Sequence, residues 1–253
     1  PFFHKIKLQL IRKTPQGSNI FVQEDGIVKG LLVTKVGTGN VLTADVVFTV
    51  DNSGSMSEEA DSIAMSIIAF ANHLQQSGLD VRFAVVGYDG SVNGGINFSN
   101  SVTIENYLKR PNYTGTYRTY GFSGTDSATI DNKAKVFAPD VYGENGVVTV
   151  LFADSNFPWR AGAQRVFFNF TDESTQPDNN LFWNTAKMCN LMTGKAAVHT
   201  VYSGPADTSS GLNGSWGTYD ERPWEMSLCS GGSVKFIPQD ATGLDLKTLP
   251  VTG

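Results

Sequence analysis

Charge is scarce in this chain. Asp, Glu, Lys and Arg make up 17% of the 253 residues, against about 25% in ordinary soluble domains, which argues against a coiled coil and against charge-driven disorder. Positive charge is scarcer still: 19 Lys and Arg stand against 24 Asp and Glu, the net charge is -5, and no basic run exceeds two residues. Nucleic acid is therefore not an expected partner. No apolar stretch approaches the roughly 20 residues that a membrane-spanning helix needs; Val46-Val47-Phe48 and Phe167-Phe168 are typical. Only two cysteines occur, Cys189 and Cys229, 40 positions apart. That excludes a CxxC redox pair and a four-ligand zinc site, and leaves either one disulfide or two buried thiols. The histidines His4, His73 and His199 are dispersed without HxxxH or HExxH spacing, and no Walker-type phosphate loop is present.

What the chain has in abundance is Gly, at 26 positions, together with Ser, Thr and Asn. Residues 1–43 read as β structure: Ile6-Lys7-Leu8-Gln9-Leu10-Ile11 alternates, and a Glu24-Asp25-Gly26 turn separates Ile20-Phe21-Val22 from Leu31-Leu32-Val33. An Asp-Gly turn between apolar runs is a hairpin signal. The chain opens at Pro1, without Met and already in this pattern, which reads as a piece of a longer protein.

From residue 44 the pattern changes to continuous apolar runs at 44–50, 81–88, 166–171, 197–202 and 233–237, separated by helical stretches. This is how a buried parallel sheet with crossover helices reads. Ile63, Ile67, Phe70 and Leu74 share one face of a helix expected over 58–77, with Gly78 placed to end it. Further helices are expected at 180–193 and 223–230, and residues 89–124 read as a short edge strand, a short helix and a long excursion. The expected fold class is α/β, a doubly wound, mostly parallel sheet flanked by helices, over residues 44–253, with a small N-terminal β extension over 1–43. Ligand sites in such folds lie at the carboxyl ends of the central strands.

The first parallel strand is followed there by Asp51-Asn52-Ser53-Gly54-Ser55. In an extended loop, alternate side chains point the same way, so Asp51, Ser53 and Ser55 can converge on one point. Hard oxygen ligands with little formal charge suit Mg, Mn or Ca. The bland alternative is that Ser55 and Glu58 form a helix capping box. Two further pieces bear on the choice: Ser123-Gly124-Thr125-Asp126 is a second hydroxyl-bearing Gly loop before a helix, and Phe170-Thr171-Asp172 ends a later apolar strand.

With these three pieces in this order, the sequence resembles the von Willebrand factor A family, whose metal-ion-dependent adhesion site combines DxSxS, a distant Thr and a later Asp. The resemblance implies that Asp51, Ser53, Ser55, Thr125 and Asp172 surround a divalent cation, the serines directly and some carboxylates through water. Phe157-Pro158-Trp159-Arg160, with the strand that follows, is similar to the A-type domains of integrin β chains. That likeness implies a helix at 147–155, although Val147-Val148-Thr149-Val150-Leu151-Phe152 has strand propensity. It also marks Glu58 and Glu59 as a candidate second metal site, against the plainer reading of acids at a helix N-terminus. Phe21-Val22-Gln23-Glu24-Asp25-Gly26 is similar to a strand and turn that precede A domains in bacterial surface proteins.

The expected function is a non-enzymatic adhesion module at the cell surface or outside the cell. Its divalent cation would coordinate an acidic side chain of a protein ligand or surface receptor. The alternatives are an assembly module with a stabilising metal and an accessory domain of an Mg-dependent enzyme complex. Tyr107, Tyr113, Tyr117, Tyr120, Phe122 and Trp159 are expected in loops around the metal end. In the family the last helix, here about 240–250, can move with metal ligation. The sequence sets no oligomeric state.

Overall fold

A computed structural model describes residues 7–14, 17–24, 27–29, 42–109, 124–125, 128–139, 141, 143–177, 181–204, 219–238, 241–242, 244–249 and 251. The chain divides into two compact units, Pro1–Asn40 and Val41–Gly253. In the first, strands β1 (Lys7–Thr14), β2 (Gly17–Glu24) and β3 (Ile27–Lys29) form an antiparallel meander. Glu24 stands opposite Ile27, leaving two residues for the connection; that pair, Asp25 and Gly26, lies outside the described residues.

The second unit is built on seven strands: β4 (Leu42–Asp51), β5 (Leu79–Asp89), β6 (Ser91–Ser99), β7 (Gly124–Thr125), β8 (Gln164–Thr171), β9 (Ala197–Tyr202) and β10 (Val234–Phe236). Their spatial order is β10-β9-β8-β4-β5-β6-β7, and every adjacent pair is parallel except β5 and β6. From β4 the chain moves outward to β5 on one side, then returns to β8 on the other. The carboxyl ends of β4 and β8 are thus the point where the winding reverses.

Helix α1 (Ser57–Gln76) covers one face, burying Ile63, Ile67, Phe70 and Leu74 against Val46, Phe48 and Val50. It ends as expected, with Gly78 at φ +82°. Helix α2 (Ser101–Lys109) packs Ile104 and Leu108 into the same layer. The opposite face is covered by α3 (Ala128–Phe137), α4 (Gly146–Asn156), α5 (Thr185–Met192) and α6 (Glu225–Ser230) around Val47, Val86 and Phe167. Helix α4 carries the run with strand propensity. Asn145 caps it by accepting the Val147 N–H at 3.1 Å, and its first eight residues are all buried. A helix buried all round needs no polar face and so shows no period.

The sulfurs of Cys189 on α5 and Cys229 on α6 are joined, Cα to Cα 5.6 Å. Beyond β10 the described residues contain only the 3-10 turn Leu246–Thr248, not the helix expected over 240–250. No described helix is long and apolar enough to cross a membrane.

His199 on β9 gives the fold an acid sensitivity. It is 3% exposed, stacks on Phe168 with ring centroids 5.0 Å apart, and its Nδ1 accepts the Ser233 N–H at 2.9 Å. Burial pushes its pKa down from 6.5 to about 4. Between those pH values the unfolded chain binds a proton that the folded chain refuses, so stability falls as pH drops through that window. The expected loss is up to about 3 kcal/mol, read as unfolding free energy by denaturant titration at each pH. His199→Gln should flatten that dependence.

Candidate metal centre

Asp51 ends β4 and is completely buried. Its Oδ1 accepts the backbone N–H of Ser53 at 2.9 Å, and its Oδ2 accepts the hydroxyl of Thr171 at 3.0 Å. Ser53 and Ser55 follow in a loop that tightens into the 3-10 turn Gly54–Met56, with their hydroxyls 3.1 Å apart. The residue capping α1 is Met56, with no side-chain capping bond, so Ser55 does not serve as the cap of that helix. Asp172 directly follows β8 and is 5% exposed. Burial pushes its carboxyl up, against the Ser55 hydroxyl, which pulls it down. Gly204 crosses so close to this turn that a Cβ there would collide with the Asp172 carbonyl oxygen.

Asp51, Ser53, Ser55 and Asp172 are therefore brought together at the reversal point. The Thr125 side chain lies outside the described residues. The residue is on the edge strand β7, three positions from β4 in the sheet, which at the usual strand spacing is roughly 14 Å. Glu58 and Glu59 open α1, but their side chains lie outside the described residues, as do Tyr113, Tyr117, Tyr120 and Phe122. Trp159 sits at the opposite end of the sheet: its ring lies 4.8 Å from the Arg165 guanidinium, at the start of β8. Tyr107 packs against the core under α1.

A residue without a sequence motif lies close to these carboxylates. Glu144 precedes α4, and its loop is fixed by Gln176, whose N–H donates to the Glu144 carbonyl at 2.9 Å and whose Oε1 accepts the Glu144 N–H at 3.2 Å. Burial pushes Glu144 up, and Asp51, Glu173 and Asp172 push it further. Burial likewise raises Asp51, with Asp172 adding to it against the hydrogen bonds from Ser53 and Thr171. Beneath the carboxylates lies a polar layer. Asn169 Oδ1 accepts the Thr49 hydroxyl at 2.8 Å and the Tyr88 hydroxyl at 3.2 Å. Gly146 makes room for it, since a Cβ there would stand 2.6 Å from Asn169 Oδ1.

The residues present suit a divalent cation. Asp172 Oδ1 and Glu144 Oε2 are buried and have no hydrogen-bond donor among the described residues, and no described Lys, Arg or His pairs with either carboxylate or with Asp51. Buried carboxylate oxygens without a proton donor or positive partner are costly. Among the described residues no three carboxylate, imidazole or thiolate groups converge closely enough to cage a metal by themselves. Serine hydroxyls and water would have to complete the shell, as hard cations accept.

Sheet order, helices on both faces and a cluster of carboxylates and hydroxyls at the reversal point define a doubly wound α/β domain with a candidate cation site. No protein-family model matches the sequence, and no curated protein does. Solved structures similar to it include an aerotolerance-related membrane protein from Bacteroides fragilis, 12% identical over 81% of this chain and 96% of that one, with a TM-score of 0.47. The pilus adhesin SpaC from Lactobacillus rhamnosus GG is 11% identical over 80% of this chain and 29% of that one, at 0.46. The SpRpn10 VWA domain is 12% identical over 81% and 92%, at 0.42.

Proposed function

We propose that residues 41–253 form a divalent-cation-dependent protein-binding module of the von Willebrand factor A type. Asp51, Ser53, Ser55 and Asp172 would hold the cation, with Thr125 as the further ligand that the resemblance implies and Glu144 alongside. The observation that carries this reading is the pair of buried carboxylate oxygens, on Asp172 and Glu144, that have no donor among the described residues. A bound Mg, Mn or Ca ion supplies a Lewis-acidic coordination position that a partner's Asp or Glu can fill. The protein's part is to keep that position accessible and undercharged. Exposed Ser55 leaves the cluster open to solvent, and burial together with the neighbouring Asp51, Glu173 and Asp172 pushes the Glu144 carboxyl up to about 9, which favours its protonated form. The surroundings then carry about the charge of the cation rather than an excess.

Glu144 also supports a second reading. With Asp51, Glu144 and Asp172 all ionised, three negative charges would neutralise the cation, and the metal would only stabilise an assembly module. Titration separates the two. Adhesion predicts that Mn²⁺ raises the melting temperature and enables capture of an acidic peptide or protein ligand, both reversed by EDTA. A rise without any carboxylate affinity favours the assembly role, and ligand capture at full strength in EDTA overturns the metal mechanism. A place at the cell surface or outside the cell is part of the proposal, supported by the Cys189–Cys229 bridge, since such bonds persist in oxidising compartments.

A further inference from the structure

We infer that Thr171 is a positioning residue that locks the Asp51 arm and the Asp172–Glu173 arm of the cluster into one register, and that cation affinity depends on it without its touching the cation. This rests on the cation-site reading above. Thr171 is the last residue of β8 and is 2% exposed. Its hydroxyl has one proton to give and faces two acceptors: Asp51 Oδ2 at 3.0 Å and the Glu173 carbonyl at 3.3 Å. The same oxygen accepts the Glu173 N–H at 3.1 Å. The nearer and more strongly accepting partner is the carboxylate, so the proton goes to Asp51.

That one oxygen therefore ties the side chain ending β4 to the backbone of the turn after β8. The Ser55 hydroxyl also acts on the Asp172 carboxyl from the Asp51 loop, but from an exposed residue, whereas Thr171 is buried. Ser53 holds the other Asp51 oxygen, but from within the same loop. The β4 and β8 ladder stops at Val50 opposite Phe170, one residue short of both Asp51 and Thr171. Backbone pairing thus ends just where the carboxylates begin, and the hydroxyl continues it by one rung. Below, the Tyr88 hydroxyl and the Thr49 hydroxyl both converge on Asn169, so the floor under this rung is itself hydrogen-bonded.

Two variants and two measurements test this. Thr171→Val keeps the β-branched shape and removes the hydroxyl; Thr171→Ser keeps the hydroxyl. In the metal-free protein, amide exchange at Ser53 and Glu173 should accelerate in Thr171→Val, with core strand amides unchanged, and return to the wild-type rate in Thr171→Ser. Calorimetric Mn²⁺ titration should show affinity weakened by roughly tenfold to a hundredfold in Thr171→Val, the scale of one hydrogen bond to a charged group, and Thr171→Ser within about threefold of wild type. Should Thr171→Val not fold, Thr171→Ala replaces it in both measurements. Wild-type Mn²⁺ affinity in a folded hydroxyl-free variant, or failure of Ser to restore it, overturns the inference. If wild type binds no Mn²⁺ at all, the cation reading falls, and the exchange arm still decides whether the hydroxyl couples the two arms.

Discussion

Asp51→Ala is expected to erase the response to divalent cations while leaving a folded domain. In the wild type, Mn²⁺ at a hundred times its dissociation constant should stabilise the fold by about 2.7 kcal/mol, read as a rise in melting temperature; in Asp51→Ala the rise should vanish. Asp51→Asn sharpens the test, because the amide oxygen can still accept from Ser53 or Thr171 while the charge is gone. Asp51 is buried beside Asp172 and Glu144 without a positive partner among the described residues. Removing its charge relieves repulsion in a dry site. Metal-free Asp51→Asn should therefore be at least as stable as metal-free wild type, and insensitive to Mn²⁺. A buried aspartate that served only the fold would give the opposite sign. Undiminished Mn²⁺ stabilisation in Asp51→Ala would place the cation elsewhere.

How much of this could be read beforehand depended on which residues carry their own context. The runs at 44–50, 81–88, 166–171 and 197–202 became β4, β5, β8 and β9, because strands buried on both faces must be apolar throughout. β6 was harder: Ser91–Ser99 carries two glycines and two asparagines, and its register with β5 shifts twice. Residues 147–152 mislead any reading by propensity, since β-branched residues sit in α4 for its burial and not for its backbone preference. Asp51, Ser53 and Ser55 were legible because they share one strand and its loop, where spacing fixes proximity. Asp172 followed from ending a neighbouring strand. The sequence could not place Thr125 relative to them because proximity across a sheet depends on strand order, and Glu144 was invisible because a lone Glu in a Gly and Asn loop has no spacing to mark it. What brings Glu144 to Asp51 is the seating of α4, anchored through Asn145 and Gln176.

The second large effect is expected at the other end of the same strand. Asp45 is as buried as Asp51, but its surroundings are electrostatically opposite. Arg82 grips it with both arms, Nε to Oδ1 at 3.0 Å and Nη2 to Oδ2 at 2.7 Å, and Arg160 adds its Nε to Oδ1 at 2.8 Å and its backbone N–H to Oδ2 at 2.7 Å. Arg160 continues to the Ala44 carbonyl at 2.8 Å and the Asp80 carboxylate at 2.7 Å. Burial pushes the Asp45 carboxyl up, and the two arginines with the Arg160 N–H more than offset it, so the net shift is downward. Removing one partner of such a set leaves buried donors and positive charge uncompensated, so Asp45→Ala should cost about 3–5 kcal/mol, measured by denaturant unfolding. Asp45→Asn should cost less, since the amide oxygen can still accept. Because the folded carboxyl titrates below its unfolded value of 3.8, the wild-type contribution is present above that pH and disappears in acid, while the variants lose that dependence. Asp45 lies six residues before Asp51 along β4, roughly 20 Å away, so a folded Asp45→Asn should bind Mn²⁺ with wild-type affinity. The two aspartates of one strand then separate cleanly: neutralising the one matched by arginines weakens the fold and spares the site, and neutralising the unmatched one spares the fold and empties the site.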